Sequence, residues 1–211
     1  YAPSGTVLIL AFVFSGLFVA VSRQIDIVPS RVIIFSRDTK TNFISTLLVV
    51  ILALGSVALG VVASSKTLSA FYFQKAIDLS NTPDISLETV EMALDKAVKF
   101  APADIHYAAL SRIYFAKAQA AAASTTGVPA ENFAVFEGAI SKSIVAVRKA
   151  VDVNPAGYQN WVALGTIYSF LVPKPLSVAG AYENAKLAYS EAGKRNPANP
   201  EIPLFLAQLE F

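Results

Sequence analysis

Two long apolar segments near the N-terminus predict membrane spans. Residues 44–63 run for twenty positions without a charged residue, an Asn, a Gln or a Pro, and about 20 apolar residues carry a helix across the bilayer hydrocarbon. Residues 5–21 form a second apolar block. A cleaved secretory signal is the rival interpretation of that block, but no basic residue precedes it, so we predict a span there as well. The pattern predicts a membrane region over 1–63, with a polar loop at 22–43 and the lipid bilayer as a partner.

From residue 64 onward the apolar positions follow a helical period, and two sets of positions recur. The first set consists of Tyr107, Leu110, Ser111 and Tyr114, and it returns 54 residues later as Trp161, Leu164, Gly165 and Tyr168. The second set keeps offsets of four, three and five in three copies: Val90, Leu94, Ala97 and Pro102; Ser143, Val147, Ala150 and Pro155; Ala185, Tyr189, Ala192 and Pro197. Large side chains set against small ones let two helices approach closely, and Pro ends a helix. We therefore predict an all-α protein whose second part is built from helical hairpins.

The best-defined hairpin resembles a known repeat. The series W-x2-L-G-x2-Y at Trp161 to Tyr168, continued by A-x3-Y-x2-A at Ala185 to Ala192 and by Pro197, resembles the tetratricopeptide repeat. This resemblance implies an α-solenoid of about three hairpins over 64–211. The prolines that end the hairpins are 53 and 42 residues apart, against about 34 in the standard repeat. We assign the surplus to loops at 124–130 and 172–180, inside the second and third hairpins.

The distribution of charged residues excludes one class of function and predicts the orientation of the chain in the membrane. Residues 64–211 hold thirteen Lys and Arg against thirteen Asp and Glu, so they lack the basic face that nucleic-acid binding requires. The loop holds Arg23, Arg31, Arg37 and Lys40 against two Asp. Basic residues in short loops stay on the cytoplasmic side. We therefore expect loop 22–43 to be cytoplasmic and residues 64–211 to be extracytoplasmic.

The candidate chemistry is sparse, and we predict no catalytic residue, no cofactor and no metal site. The chain has no Cys and one His, and His106 has no Ser or Cys at a suggestive spacing, so we interpret it as a surface or groove histidine. The acids Glu88, Glu91 and Asp95 have lysines beside them and indicate an exposed helix face. Residues 71–73, an aromatic run about two turns beyond the second span, fit either an interfacial belt or the hairpin core. We prefer the core for at least one ring.

The first helices of successive hairpins should line a concave binding surface. Its predicted lining consists of Ile105, Ala108, Arg112 and Phe115, and of Gln159, Val162, Thr166 and Ser169. The surface lacks the Lys and Asn pairing with which tetratricopeptide proteins clamp a C-terminal carboxylate. Arg112 has the capacity to bind an anionic group, but we prefer the simpler interpretation of an exposed arginine near Asp104.

Three hypotheses for the function remain open. The first is a membrane-anchored module of the bacterial cell envelope that binds a protein partner in the groove. The second comes from the layout of spans followed by widely spaced repeats, which resembles the C-terminal part of O-antigen ligase and polymerase-type envelope proteins. It implies a non-catalytic appendage of a lipid-linked glycan ligase whose active site lies upstream, and the start at Tyr1 rather than Met fits a piece of a longer protein. The third is a structural spacer.

Overall fold

The computed structural model describes residues 39–123, 129–173 and 176–210, together with Phe14, Gly16 and Val21. Every regular element in these ranges is a helix, which confirms the prediction of an all-α protein. Most of the predicted span 5–21 and most of the loop 22–43 lie outside the described residues. The helices in the described ranges are α1 (Thr39–Ser80), α2 (Leu87–Phe100), α3 (Asp104–Ala123), α4 (Pro129–Val153), α5 (Tyr158–Phe170), α6 (Ala181–Arg195) and α7 (Glu201–Glu210).

Helix α1 contains the predicted span 44–63 but is longer at both ends. It runs unbroken for 42 residues, or about 63 Å at 1.5 Å per residue. The last five residues of the predicted loop, 39–43, therefore belong to α1. The helix does not stop at Ala63 because no Gly or Pro occurs between Ala63 and Ser80 to end it.

One helix in the described ranges, α1, is long and apolar enough to cross a membrane. The candidate segment is Phe43–Ser80, and none of the residues in its most apolar 18-residue window is buried by protein. Leucines lie exposed on it, including Leu54 at 66% and Leu59 at 72%. A helix that is apolar on all sides, with no protein covering it, is typical of a segment that faces lipid.

The chain divides into two compact units, Tyr1–Ser64 and Ser65–Phe211. In the second unit the end of α1 forms the first hairpin with α2. The Ser69 hydroxyl donates to the Ala97 carbonyl (2.7 Å), and the Tyr72 ring stacks on Phe100 with ring centroids 5.6 Å apart. Ala76 and Val90 are buried in the same core.

Helices α3 and α4 form the second hairpin. Tyr107 lies under Lys149 and Tyr114 under Lys142, so the numbers rise on one helix as they fall on the other and the helices are antiparallel. Between these pairs Ser111 and Ser143 meet in the interior, where each hydroxyl donates to the other residue's carbonyl (3.0 and 2.9 Å). Two small residues at the crossing allow this close approach.

Helices α5 and α6 form the third hairpin, and its packing depends on a glycine. A Cβ at Gly165 would lie 2.6 Å from two ring atoms of Tyr189, so only Gly leaves room for that ring. At the other end of the hairpin the Arg195 guanidinium lies 4.5 Å from the centre of the Trp161 ring. Helix α7 packs on α6, where Phe205 stacks on Tyr189 at 5.4 Å.

The recurring positions divide by burial. Those that are buried are Val90, Leu94, Ala97, Leu110, Ser111, Ser143, Val147, Ala150, Leu164, Gly165, Tyr168, Ala185, Tyr189 and Ala192; those that are half-buried are Tyr107, Tyr114 and Trp161. Pro155 and Pro197 are exposed, and each lies two residues beyond the end of a helix. Pro102, from the first copy of the second set, likewise lies two residues beyond the end of α2.

The two predicted loops have different outcomes. Residues 124–128 lie outside the described ranges, whereas Pro129 and Ala130, which we predicted in the loop, already belong to α4. The second loop joins α5 to α6, and its described ends are tied together by a hydrogen bond from the Val178 amide to the Leu171 carbonyl (3.0 Å).

Candidate functional site

Most of the predicted groove residues of α3 and α5 lie around one cavity of about 330 Å³. Five of the eight line it: Arg112, Phe115, Gln159, Val162 and Thr166. Ser169 is not in the lining. The first turn of α7 closes one side through Glu201, with Asn199 just before it. We did not predict α7 in the groove, because the spacing of the repeats gives no signal that it belongs there.

Helical spacing explains why these side chains meet. Arg112 and Phe115 are three residues apart on α3, and Gln159, Val162 and Thr166 follow at three and four residues on α5, so each set lies on one side of its helix. The two helices are in direct contact. The walls of the cavity are therefore held by helices rather than by loops.

A second cavity, of about 600 Å³, lies on the other side of Arg112. It includes the other two predicted residues, Ile105 and Ala108, and is completed by Phe73 and Ile77 of α1. Arg112, Gln159 and Ala163 line both cavities. The two cavities thus form one continuous surface with Arg112 at its centre.

Arg112 is the cation of this surface. The guanidinium is exposed and forms no ion pair or hydrogen bond with any residue in the described ranges. In particular it does not pair with Asp104, whose carboxylate is held elsewhere. A planar guanidinium with five donors binds carboxylates in a two-pronged geometry, so this position suits an anionic group on a partner.

Asp104 links α3 to the turn after α4 and to α5, a role that we did not predict. Its carboxylate accepts from the side-chain amides of Asn154 (2.7 Å) and Asn160 (3.4 Å). The buried Asn160 also donates to the Ala150 carbonyl (3.2 Å). These hydrogen bonds, that of Asn154 above all, hold the pKa of Asp104 below its usual value. The partners are 50 and 56 residues away, so no local pattern identifies them.

His106 is buried, and our prediction of a surface or groove histidine is wrong. Its side chain packs on Phe73 of α1, with ring centroids 4.8 Å apart, and its Nδ1 lies 3.0 Å from the Ala101 carbonyl. A carbonyl can only accept, so Nδ1 carries the proton. Burial lowers the pKa of His106, against the opposing effect of the Ala101 carbonyl. The error follows from α1, which continues past Ala63 and covers the ring.

The acidic cluster on α2 is only partly an exposed face. Glu88 is exposed, but Glu91 is half-buried and accepts from Lys117 (2.5 Å) and from the Tyr114 hydroxyl (2.9 Å). Burial alone would raise the pKa of Glu91, but these two donors outweigh it and the pKa lies below its usual value. The cluster therefore joins α2 to α3. Within the described ranges no three His, Cys, Asp or Glu side chains are grouped to hold a metal ion.

The described part of the groove combines apolar walls with one unpaired cation, Arg112, and His106 is not in its lining. The His106 Nδ1 lies 3.5 Å from the Ser69 hydroxyl, which itself donates to the Ala97 carbonyl. When the chain is compared with known proteins, no family and no curated protein matches it.

Proposed function

We propose that this chain is a membrane-anchored, tetratricopeptide-like module that binds a protein partner in the groove formed by α3, α5 and the first turn of α7. The observation that carries the proposal is the convergence of Arg112 and Phe115 with Gln159, Val162 and Thr166 on one cavity. These residues come from two helices that are about fifty residues apart along the chain.

The groove offers two kinds of contact. Phe115 and Val162 provide apolar surface, and the burial of an apolar side chain against such surface is worth about 1.5–3 kcal/mol. Arg112 provides a charged donor without a competing partner in the described ranges. A cavity of about 330 Å³ admits one or two side chains. The partner that fits best is an extended or helical segment that presents an apolar residue next to an Asp or a Glu.

Helix α1 supplies the anchor in this proposal. Its apolar segment crosses the bilayer, and the excess of basic residues in 22–43 holds that loop in the cytoplasm, so that the hairpins are extracytoplasmic. Because the chain has no cysteine, a single Cys at the exposed Met92 gives a clean test. A membrane-impermeant maleimide should label Met92→Cys in spheroplasts, and labelling only after lysis would refute the orientation.

A photo-crosslinking experiment tests the partner site. A photoreactive amino acid is placed at Thr166, in the groove, and for comparison at Leu187, which is 58% exposed on α6 and does not line the groove. The proposal predicts a discrete adduct from Thr166 in intact cells, its loss when Arg112→Glu is added, and no such adduct from Leu187. Equal crosslinking from the two positions, or an adduct that survives Arg112→Glu, would refute it.

A further inference from the structure

Three aromatic rings form an exposed cluster where α1 meets the end of α2. Phe71 is 62% exposed and its ring lies 5.5 Å from Tyr72 in an edge-to-face arrangement. Tyr72 stacks on Phe100, which is itself 37% exposed. Leu68, one turn before Tyr72, adds a further exposed apolar side chain at 42%. A contiguous apolar patch of this kind on a water-facing domain indicates an interaction surface.

Four exposed lysines lie on the same two helical segments as this aromatic cluster. Lys96 lies 5.3 Å from the centre of the Tyr72 ring, and Lys66, Lys75 and Lys99 are exposed on the same two helical segments. None of the four forms an ion pair with a residue of the described ranges. Residues 65–76 and 95–100 contain one acid, Asp95, so the net charge of this surface is +3.

The cluster follows the apolar segment directly along α1. Phe71 is eight residues beyond Ala63, or about 12 Å along the helix axis. Side chains of a helix lean toward its N-terminus, which for Phe71 and Lys66 is the direction of the apolar segment. The polar layer of a bilayer is roughly 5–8 Å thick on each side. The rings and the lysine side chains can therefore reach the lipid head groups.

We propose that the aromatic cluster and its lysines bind the surface of an anionic lipid bilayer. The rings lie at the level of the head groups, as interfacial aromatic residues do, and the unpaired lysines contact lipid phosphates. Charge complementarity and continuity with the apolar segment favour lipid over a second protein as the occupant. This inference rests on the membrane anchor of the proposed function, and it adds a second, peripheral contact with the same bilayer.

The test uses the full chain in vesicles. A single Cys replaces Ala70, which is exposed beside Phe71, and carries an environment-sensitive fluorophore. The vesicles contain phosphatidylcholine alone or with phosphatidylglycerol, and a trace of lipid with a nitroxide on its head group. We expect strong quenching of the probe at 70 that is greater in the anionic vesicles. Lys66→Gln with Lys99→Gln should lower the ratio of docked to undocked cluster on the order of thirtyfold there.

Two further probes separate the possible failures. Met92→Cys is the matched control, since Met92 lies on the same hairpin with a similar exposure of 58%, and it should not be quenched. Leu54→Cys, in the apolar segment, reports the anchor through a nitroxide on the acyl chain. The inference is wrong if the probe at 54 is quenched but the probe at 70 is quenched no more than the probe at 92. It is also wrong if the probe at 70 is quenched equally in both vesicle types. Either result leaves the membrane anchor supported. Absence of quenching at 54 overturns the anchor as well.

Discussion

Replacement of Gly165 by Ala should destabilise the third hairpin, whereas the same change at Gly138 should stabilise α4. A Cβ at Gly165 would meet the Tyr189 ring at 2.6 Å, and one at Gly138 would have no neighbour within 4 Å. The Tyr189 ring must shift by roughly 1 Å to restore ordinary contact, but it is 3% exposed and stacked on Phe205. Overpacking of this kind costs about 1–3 kcal/mol.

The pair of variants isolates that steric cost. Ala is favoured over Gly inside a helix by about 1 kcal/mol, and this gain is common to both positions because both lie within helices. The difference between the two free energies of unfolding should therefore equal the overpacking cost of about 1–3 kcal/mol. For a domain of about 150 residues this corresponds to roughly 2–4 °C in Tm for each kcal/mol.

Trp161 makes the measurement specific. It is the single Trp of the chain and lies one turn before Gly165 on α5, against Arg195 of α6. Urea unfolding of the full chain in detergent, followed by Trp fluorescence, therefore reports separation of these two helices. If Gly165→Ala proves as stable as Gly138→Ala, Tyr189 does not depend on a glycine opposite it and the account of the hairpin packing is wrong.

Three further predictions use the same unfolding assay. Ser143→Val should cost about 1–3 kcal/mol because Ser143 is fully buried at a helix crossing, whereas the exposed Ser141→Val should stay within about 0.5 kcal/mol; equal effects would refute the crossing. Asp104→Ala should cost about 1–3 kcal/mol, since it leaves two amides without their acceptor, and Asp152→Ala, which breaks no described contact, should be near neutral. His106 should make the protein less stable in mild acid: its pKa is lowered in the folded state, so the unfolded chain binds more protons below about pH 6.5, and stability that is complete above that pH falls as the pH drops toward the folded pKa. Because His106 is the single His of the chain, His106→Leu should abolish this part of the pH dependence of stability. An unchanged pH dependence in that variant would contradict the assignment of the effect to His106.

The helices were predictable because their signals are local. Prolines after helices, an aromatic set against a glycine and a continuous apolar segment each depend on residues within a few turns of one another. The recurring offsets assigned Gly165 and Tyr189 to the two helices of one hairpin, but we did not predict the contact between them. The same offsets placed Arg112 and Gln159 on one side of their helices, which is why the two meet at the groove.

The remaining features depend on contacts that the repeat pattern does not encode. The burial of His106 requires α1 to continue beyond Ala63, and the hydropathy pattern changes there although the helix does not end. The contribution of Glu201 to the groove requires the start of the last helix to lie beside the same cavity as α5, which no spacing predicts. Helical periodicity thus determines the faces of the helices, but long-range contacts determine which faces meet.

The shared acceptor at Asp104 has a consequence for how the domain unfolds. Its carboxylate holds the start of α3, the turn after α4 and the first turn of α5 at one point. If α5 and α6 melted alone, the Asn160 bonds to Asp104 and to the Ala150 carbonyl would both be lost. Neighbouring units of a stacked array are coupled through such interface terms. The second and third hairpins should therefore melt as one cooperative unit, with no intermediate in which the third alone is open.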